Sequence, residues 1–157
     1  MTHIAPPSNF LPVTVAQDTV LVKKPDLVLH VSLMRAYPGL FGFVLSLRTD
    51  RGGDWADPFA FGYMPPAGAC EMWGVFTADG HVHRYPVSRG AAGGDGRGAL
   101  DYELFLPLPR DATSAGIGYV WPAEGLPEST VALDLAGLRR AAGRSRPCPA
   151  PVDDRGP

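Results

Sequence analysis

Apolar and polar residues alternate along two long stretches of the chain, DLVLHVSLMRAY (26–37) and LFGFVLSLRT (40–49). Because successive side chains of a strand point to opposite faces, this alternation predicts two half-buried β-strands. The apolar faces are Leu27, Leu29, Val31 and Leu33 in the first stretch, and Phe41, Phe43, Leu45 and Leu47 in the second. YPGL between them has the Pro-Gly signature of a type II turn, so an antiparallel hairpin is predicted.

Shorter apolar runs follow the same pattern along the rest of the chain. They are VTVAQDTVLVKK, FAFGYM, EMWGVFT, ALDYELFLPLP, AGIGYVWP and STVALD. Polar TDRGGDWADP and glycine-rich SRGAAGGDGRG (88–98) read as loops, the second of them flexible. We expect seven to nine strands separated by turn residues, which favours a single antiparallel β-sandwich, immunoglobulin-like in general shape.

One helix is predicted at the end of this domain. Asp134 suits the N-cap, LAGLRRAA follows, and Gly143 is placed to end the helix. Leu135, Leu138 and Ala142 form its apolar stripe. The predicted organisation is therefore an extended Pro-rich arm (1–12), a β-sandwich with its closing helix (13–143), and a disordered tail (144–157).

Composition and charge narrow the classes of function. The 19 glycines and 17 prolines lie mostly between apolar runs, where they serve as turns. Residues 1–136 carry 9 basic and 14 acidic side chains, whereas residues 137–157 carry 5 and 2. Because residues 1–136 are mildly acidic, they offer no basic patch for the phosphates of a nucleic acid. The arginines in LRRAAGRSR suit the C-terminal end of a helix, where cations are favoured by the helix dipole. We expect no nucleic-acid partner.

The two cysteines and the N-terminal sequence indicate the cellular compartment in which the protein is expected. Cys70 and Cys148 have no metal-ligand spacing and are expected to be free thiols. The opening MTHIAPPSNFLPV lacks the basic start and apolar run of a signal peptide, and no apolar stretch is long enough to span a membrane. A cytoplasmic protein without a membrane partner is expected.

The stretch FTADGHVHRY places Asp79, His81 and His83 at alternate positions. On an extended chain these side chains would share one side, and two histidines with a carboxylate can hold a metal ion. The competing interpretation is a hairpin, because Asp79-Gly80 is a strong turn signal and explains the acid by itself. In that hairpin Val82 would mark the core face. The hairpin is favoured, and metal binding is the alternative.

Aromatic residues and methionine are concentrated in DWADPFAFGYMPPAGACEMW. Such residues are enriched at interfaces and pocket walls. Phe59, Phe61 and Tyr63 could instead be one core face of a strand, but that would not explain Trp55 in a polar loop or Met64 beside two prolines. These five residues are the candidate binding surface.

The sequence contains no recognisable catalytic motif beside this candidate binding surface. His30 lies near Ser32 on one predicted strand face, but no GxSxG elbow or cysteine-histidine signature occurs. The glycine-rich segment lacks the lysine and following helix of a phosphate-binding loop. We expect no cofactor, and the sequence leans away from an enzyme.

Two segments resemble parts of an uncharacterised family of small β-rich proteins from high-GC actinobacteria. They are DLVLHVSLMRAYPGLFGFVLSLR and IGYVWPAEGLPESTVALDLAGLRRAAGRS. Near the beginning of these proteins, a YP-G turn joins two strands. Near the end, a W-P-GLPE turn is followed by a strand and a short helix. The resemblance implies a shared β-rich fold and carries no activity or site residues.

The function expected from these observations is a non-enzymatic binding or accessory module. It would recognise a protein partner or a small ligand through the candidate binding surface around Trp55–Met64, or associate with copies of itself. A metal-binding protein or metal-dependent enzyme using His81 and His83 is the first alternative. A structural subunit of a larger assembly is the second.

Overall fold

The computed structural model describes residues 4–52 and 56–149. This part of the chain forms twelve strands, a 3-10 turn at Pro122–Glu124 and one α-helix, α1 (Leu135–Arg144). The strands are β1 (Phe10–Leu11), β2 (Val13–Val15), β3 (Thr19–Lys24), β4 (Leu27–Tyr37), β5 (Leu40–Thr49), β6 (Glu71–Ala78), β7 (His81–Pro86), β8 (Ser88–Gly94), β9 (Ala99–Pro107), β10 (Ser114–Trp121), β11 (Leu126–Leu133) and β12 (Arg146–Pro147). All of them pair antiparallel. The predicted mainly antiparallel β architecture with a short C-terminal helix is confirmed.

Two sheets face each other across the core. The larger has the order β2-β4-β5-β9-β8, with β3 also paired to β4, and the smaller has the order β11-β10-β6-β7. Phe41 of the larger sheet meets Phe76 of the smaller edge to face, with ring centroids 6.4 Å apart. Both side chains are almost completely buried. This layered packing makes the domain a β-sandwich.

The predicted hairpin of β4 and β5 is present, with Gly39 in the turn at a φ of 77°. The apolar face of β5 is completely buried, as predicted. In β4 the prediction was wrong at one position, because a β-bulge shifts the register between Ser32 and Arg35. Leu33 has a φ of 49° and is exposed, while Met34 is buried in its place. One extra residue in a bulge reverses the alternation of faces after it.

The glycine-rich segment departs from its prediction as a flexible loop. Residues 88–94 form the edge strand β8, paired with β9 through a bulge between Arg89 and Ala92. Gly90 packs so closely on the Phe105 ring that a Cβ atom at residue 90 would lie only 2.8 Å from it. A glycine-rich run has no apolar alternation, so the pairing with β9 could not be read from periodicity.

The closing helix α1 follows its prediction at its start and departs from it at its end. Asp134 Oδ1 accepts a hydrogen bond from Gly137 N at 2.9 Å, which confirms the N-cap. The helix continues past Gly143 to Arg144, so Gly143 does not end it. The helix buries Leu138 completely and Ala141 almost completely, whereas the predicted stripe had Ala142 in place of Ala141.

The first residues of the predicted disordered tail form β12, which pairs with β1 in the Pro-rich arm.

Within the described residues, no helix is long and apolar enough to cross a membrane.

The two cysteines lie in opposite environments, Cys70 buried and Cys148 exposed. Burial raises the pKa of the Cys70 thiol to about 12, with a smaller contribution from Glu71. Since the thiolate is the reactive form, we expect a thiol-reactive dye at neutral pH to label only Cys148 in the folded protein. Cys148→Ser should then remove the fast reaction, while Cys70→Ser should leave it intact. Rapid labelling of both thiols without denaturant would contradict this placement.

Candidate functional site

The aromatic loop, residues 56–70, is the later part of the connection between β5 of the larger sheet and β6 of the smaller sheet. Residues 59–64 were predicted to form a strand, but only an isolated bridge between Phe59 and Cys70 is present. Ala60 N donates to Cys70 O and Cys70 N donates to Pro58 O, each at 2.8 Å. The loop therefore folds back on its own beginning and places Phe59 in the core.

Phe59 is the anchor of a ring cluster that reaches from the core to the surface. Its ring stacks on Phe61 with centroids 4.9 Å apart and planes 9° from parallel. Tyr102 meets both rings edge-on, at 5.6 Å from Phe59 and 5.0 Å from Phe61. Phe59 is completely buried, whereas Phe61 is half-buried. Of these two candidate binding residues, Phe61 is the one that can meet a ligand.

Polar contacts hold the loop in this conformation. Asp57 Oδ1 accepts a hydrogen bond from Phe59 N at 2.9 Å, and the Tyr102 hydroxyl donates to Asp57 Oδ2. Burial raises the pKa of Tyr102 to about 12, and its bond to Asp57 acts in the same direction. Arg89 Nη1 donates to Phe61 O at 3.2 Å. Because side chains of β8 and β9 hold the backbone, Phe61 is presented by an ordered loop.

An ion-pair network lies just before the loop, at the end of β5. Arg51 pairs with Asp26 at 2.7 Å and with Glu124, and Glu124 also pairs with Lys24 at 3.1 Å. The Arg51 guanidinium lowers the pKa of both carboxyl groups, so they stay ionised at neutral pH. The network ties residue 51 to the start of β4 and to the 3-10 turn.

Beside the loop, a mostly apolar cavity of about 630 Å³ opens at the margin of the smaller sheet, where β6 begins and β7 ends. Its lining comes from the aromatic loop, β6, the end of β7 with the residue after it, and the facing parts of β10 and β11. The lining residues are Ala60, Phe61, Glu71, Met72, Trp73, Arg84, Tyr85, Pro86, Val87, Val120 and Glu128. We call this the aromatic pocket. Its size is within the range of small-ligand and side-chain sites.

Trp73 forms the floor of the aromatic pocket because Gly118 lies beneath it. In the antiparallel register Gly118 is directly opposite Trp73, and a Cβ built on Gly118 would lie 2.2 Å from Trp73 Nε1. The indole can therefore lie flat across the sheet, and only 9% of the residue is exposed. A side chain at residue 118 would force the ring off this surface.

A guanidinium already lies on this floor. Arg84 Cζ is 4.7 Å from the centroid of the Trp73 ring, and Arg84 also pairs with Glu128. Arg84 and Glu128 are both half-exposed, so their ion pair is weak and easily replaced. Glu71 lies on the same rim and is exposed. The rim thus holds two carboxylates and one cation over an aromatic surface.

The remaining candidate binding residues lie on the distal part of the loop. Tyr63 is 90% exposed and Met64 is 78% exposed, which is unusual for large apolar side chains. Neither lines the aromatic pocket, but Tyr63 follows Phe61 by two residues. Trp55 lies outside the described residues. The structure thus separates the predicted set into a buried anchor, a pocket wall and an exposed pair.

The Asp-Gly turn predicted between β6 and β7 is confirmed, with φ of 50° at Asp79 and 73° at Gly80. His81 and His83 are exposed on β7, the edge of the smaller sheet. Val82 does not mark the core face, since it is paired with Thr77 and is 66% exposed. Among the described residues no group of three or more His, Cys, Asp or Glu side chains is placed to hold a metal ion. Nothing in this geometry supports the metal-binding alternative.

Sequence reasoning missed most of the aromatic pocket. Glu128 comes from a strand distant in the sequence. Arg84 and Tyr85 lie on the second strand of the β6–β7 hairpin, where no local pattern marks them as lining a pocket. One usable signal was Gly118 in AGIGYVW, because a glycine inside a strand often marks the close approach of a ring or backbone. A glycine at this position indicates that another group packs closely on the strand, but it does not identify that group as the Trp73 ring.

Comparison of the chain with protein-family models, with curated proteins and with solved structures gave no match. The immunoglobulin-like description and the resemblance to an actinobacterial family therefore stay predictions from the sequence.

Proposed function

We propose that this protein is a non-enzymatic binding module that holds an exposed segment of a protein partner in the aromatic pocket. The observation that carries the proposal is the arrangement of Phe61, Trp73 and Tyr85 around one open cavity of about 630 Å³. Each ring is supported from behind, Phe61 by Phe59, Trp73 by Gly118 and Tyr85 by Phe76 at 5.4 Å. A pocket held open in this way loses little entropy on binding.

The charges of the pocket favour a segment that carries a cationic side chain. Arg84 over Trp73 shows that this floor accommodates a guanidinium, and cations are attracted to the face of an indole. Glu71 and Glu128 together outweigh Arg84 in charge. An incoming arginine or lysine could take the place of Arg84 on the indole and pair with Glu128. Exposed Tyr63 and Met64 would contact apolar residues beside it.

We expect a displayed library of random peptides to yield binders with an arginine or lysine next to apolar residues. Affinity for a selected peptide should fall about tenfold or more in Glu128→Lys, because one attractive charge is replaced by a repulsive one. Titration of each purified variant with the peptide, followed by tryptophan fluorescence, measures this change.

Matched variants separate the pocket from other surfaces. His83→Ala, on the exposed edge of the same sheet, should bind the selected peptide as the unmodified protein does. Phe61→Ala should weaken binding, since it removes one wall. Peptides without a cation, or equal affinities in Glu128→Lys and the unmodified protein, would refute the proposed ligand chemistry.

A further inference from the structure

Trp73 lies on the side of β6 that is turned away from the core. Met72 and Phe76 belong to the core cluster, Phe76 from the opposite side of the strand, since side chains an odd number of residues apart point to opposite sides. A side chain on the outward side of a sheet is ordinarily accessible to solvent, yet Trp73 is buried. Because Gly118 lies beneath the ring, this burial requires a cover on the other face of the ring.

Arg84 and Glu128 supply this cover from opposite edges of the smaller sheet. In the strand order β11-β10-β6-β7, Glu128 and Arg84 lie on the two outer strands. Arg84 is opposite Val75 in the register, so it is a diagonal neighbour of Trp73 on the same face. Its guanidinium extends over the indole and pairs with Glu128. We call this ion pair over the ring the Arg84–Glu128 bridge.

The bridge is held weakly. Its two side chains are 56% and 53% exposed, and an exposed ion pair contributes little stability. Neither residue makes a second ion pair within residues 4–52 and 56–149. In the same part of the chain, Trp73 Nε1 is buried without a hydrogen-bond partner. An unpaired buried donor destabilises the closed arrangement, so the bridge can open without the loss of a strong interaction.

The group that replaces Arg84 on the indole can be inferred from the bridge itself. A guanidinium is planar, weakly hydrated, stacks on aromatic faces and presents a fork of donors to a carboxylate. Arg84 shows that one guanidinium can lie over Trp73 and reach Glu128 at the same time. A lysine ammonium is compact and strongly hydrated, so it satisfies these two contacts less well. Glu71 on the same rim adds a second carboxylate for the incoming cation.

We propose that the Arg84–Glu128 bridge is an internal stand-in for the ligand, and that an arginine side chain of the partner, rather than a lysine, displaces Arg84 from Trp73. This inference rests on the proposed function of the aromatic pocket, and it names the ligand group and the contact that restrains the site. Arg84 thus competes with the ligand from within the chain.

Titration of the full chain with N-acetyl-arginine amide and with N-acetyl-lysine amide tests the proposal. Binding is followed by the indole N–H resonance of Trp73, identified by its absence from Trp73→Phe. Arg84→Ala should bind the arginine derivative about tenfold more tightly than the unmodified protein, because the competing side chain is gone. The same variant should bind the lysine derivative about fivefold less tightly than the arginine derivative. Since Arg84 is exposed, its replacement should leave the fold intact.

Two matched variants separate the seat on Trp73 from a general effect of charge. Arg97→Ala removes the same charge from an exposed residue that does not line the aromatic pocket, and it should bind as the unmodified protein does. Adding Glu128→Gln to Arg84→Ala should abolish the gain. The proposal is overturned if Arg84→Ala and the unmodified protein bind the arginine derivative equally, or if the two derivatives bind Arg84→Ala equally.

The outcome is distinguishable from a failure of the proposed function. Cationic peptides selected on the unmodified protein that bind Arg84→Ala no more tightly would overturn the role of the bridge and leave the binding function in place. Tight binding of the arginine derivative to Arg84→Ala, together with a library that yields no peptide, would support the seat on Trp73 and count against the proposed partner alone.

Discussion

Phe59→Ala is expected to lower the free energy of unfolding by about 3–5 kcal/mol, the usual cost of removing a buried phenylalanine ring. Phe59 is completely buried and contacts Phe61, Tyr102 and Trp121, the last with centroids 6.3 Å apart. The cavity left behind would be bordered by rings that cannot collapse into it without moving the loop. Denaturant unfolding followed by circular dichroism measures the change.

Tyr63→Ala is the matched control in the same loop. At 90% exposure its ring contributes little to the core, so the expected change is within about 0.5 kcal/mol. If both variants lost the same stability, the placement of Phe59 in the core would be wrong. Phe59 was among the five residues of the predicted binding surface, but it is completely buried, so its replacement tests the fold rather than binding.

Gly118→Ala is expected to displace the Trp73 indole and to abolish binding at the aromatic pocket. The added methyl group would occupy a point 2.2 Å from Trp73 Nε1, so either the ring or β10 must move. Overpacking of this kind typically costs about 1–3 kcal/mol. The shift should be visible as a changed indole N–H resonance and changed tryptophan fluorescence, together with lost peptide affinity.

Gly143→Ala serves as the control for glycine replacement. A Cβ on Gly143 meets no atom within 4 Å, and the residue lies inside α1. Removing a helical glycine should stabilise the protein by up to about 1 kcal/mol and leave peptide affinity unchanged. Unaltered tryptophan signals in Gly118→Ala would show that the indole does not lie on residue 118.

The elements that could be predicted are those with strong local signals. Alternation over β4 and β5 with Pro-Gly between them, Asp-Gly between β6 and β7, and Asp134 before an apolar stripe all specify local geometry. Each of these is a property of neighbouring residues, and each was confirmed. Two of the errors came where geometry departs from the regular repeat, at the bulge near Leu33 and in glycine-rich β8.

The candidate site was predicted only in part, for a related reason. The local composition singled out the aromatic loop and its rings, but composition cannot tell which ring is turned inward. Burial of Phe59 and exposure of Tyr63 depend on the bridge to Cys70 and on the bond between Asp57 and Tyr102. The bridge closes the loop on itself, and the bond from Tyr102 joins residues 45 positions apart, so neither is visible in local composition.

The amino-acid sequence by itself determined the mainly β class, the principal hairpins and the cap of the closing helix, because short-range periodicity and turn chemistry are sufficient for them. Tertiary structure decided which strands became neighbours. It thereby placed Trp73 on Gly118, brought Arg84 and Glu128 to the same pocket and left β8 as an open edge. The physical reason is that strand pairing and side-chain packing between distant segments are cooperative, so no local pattern contains them.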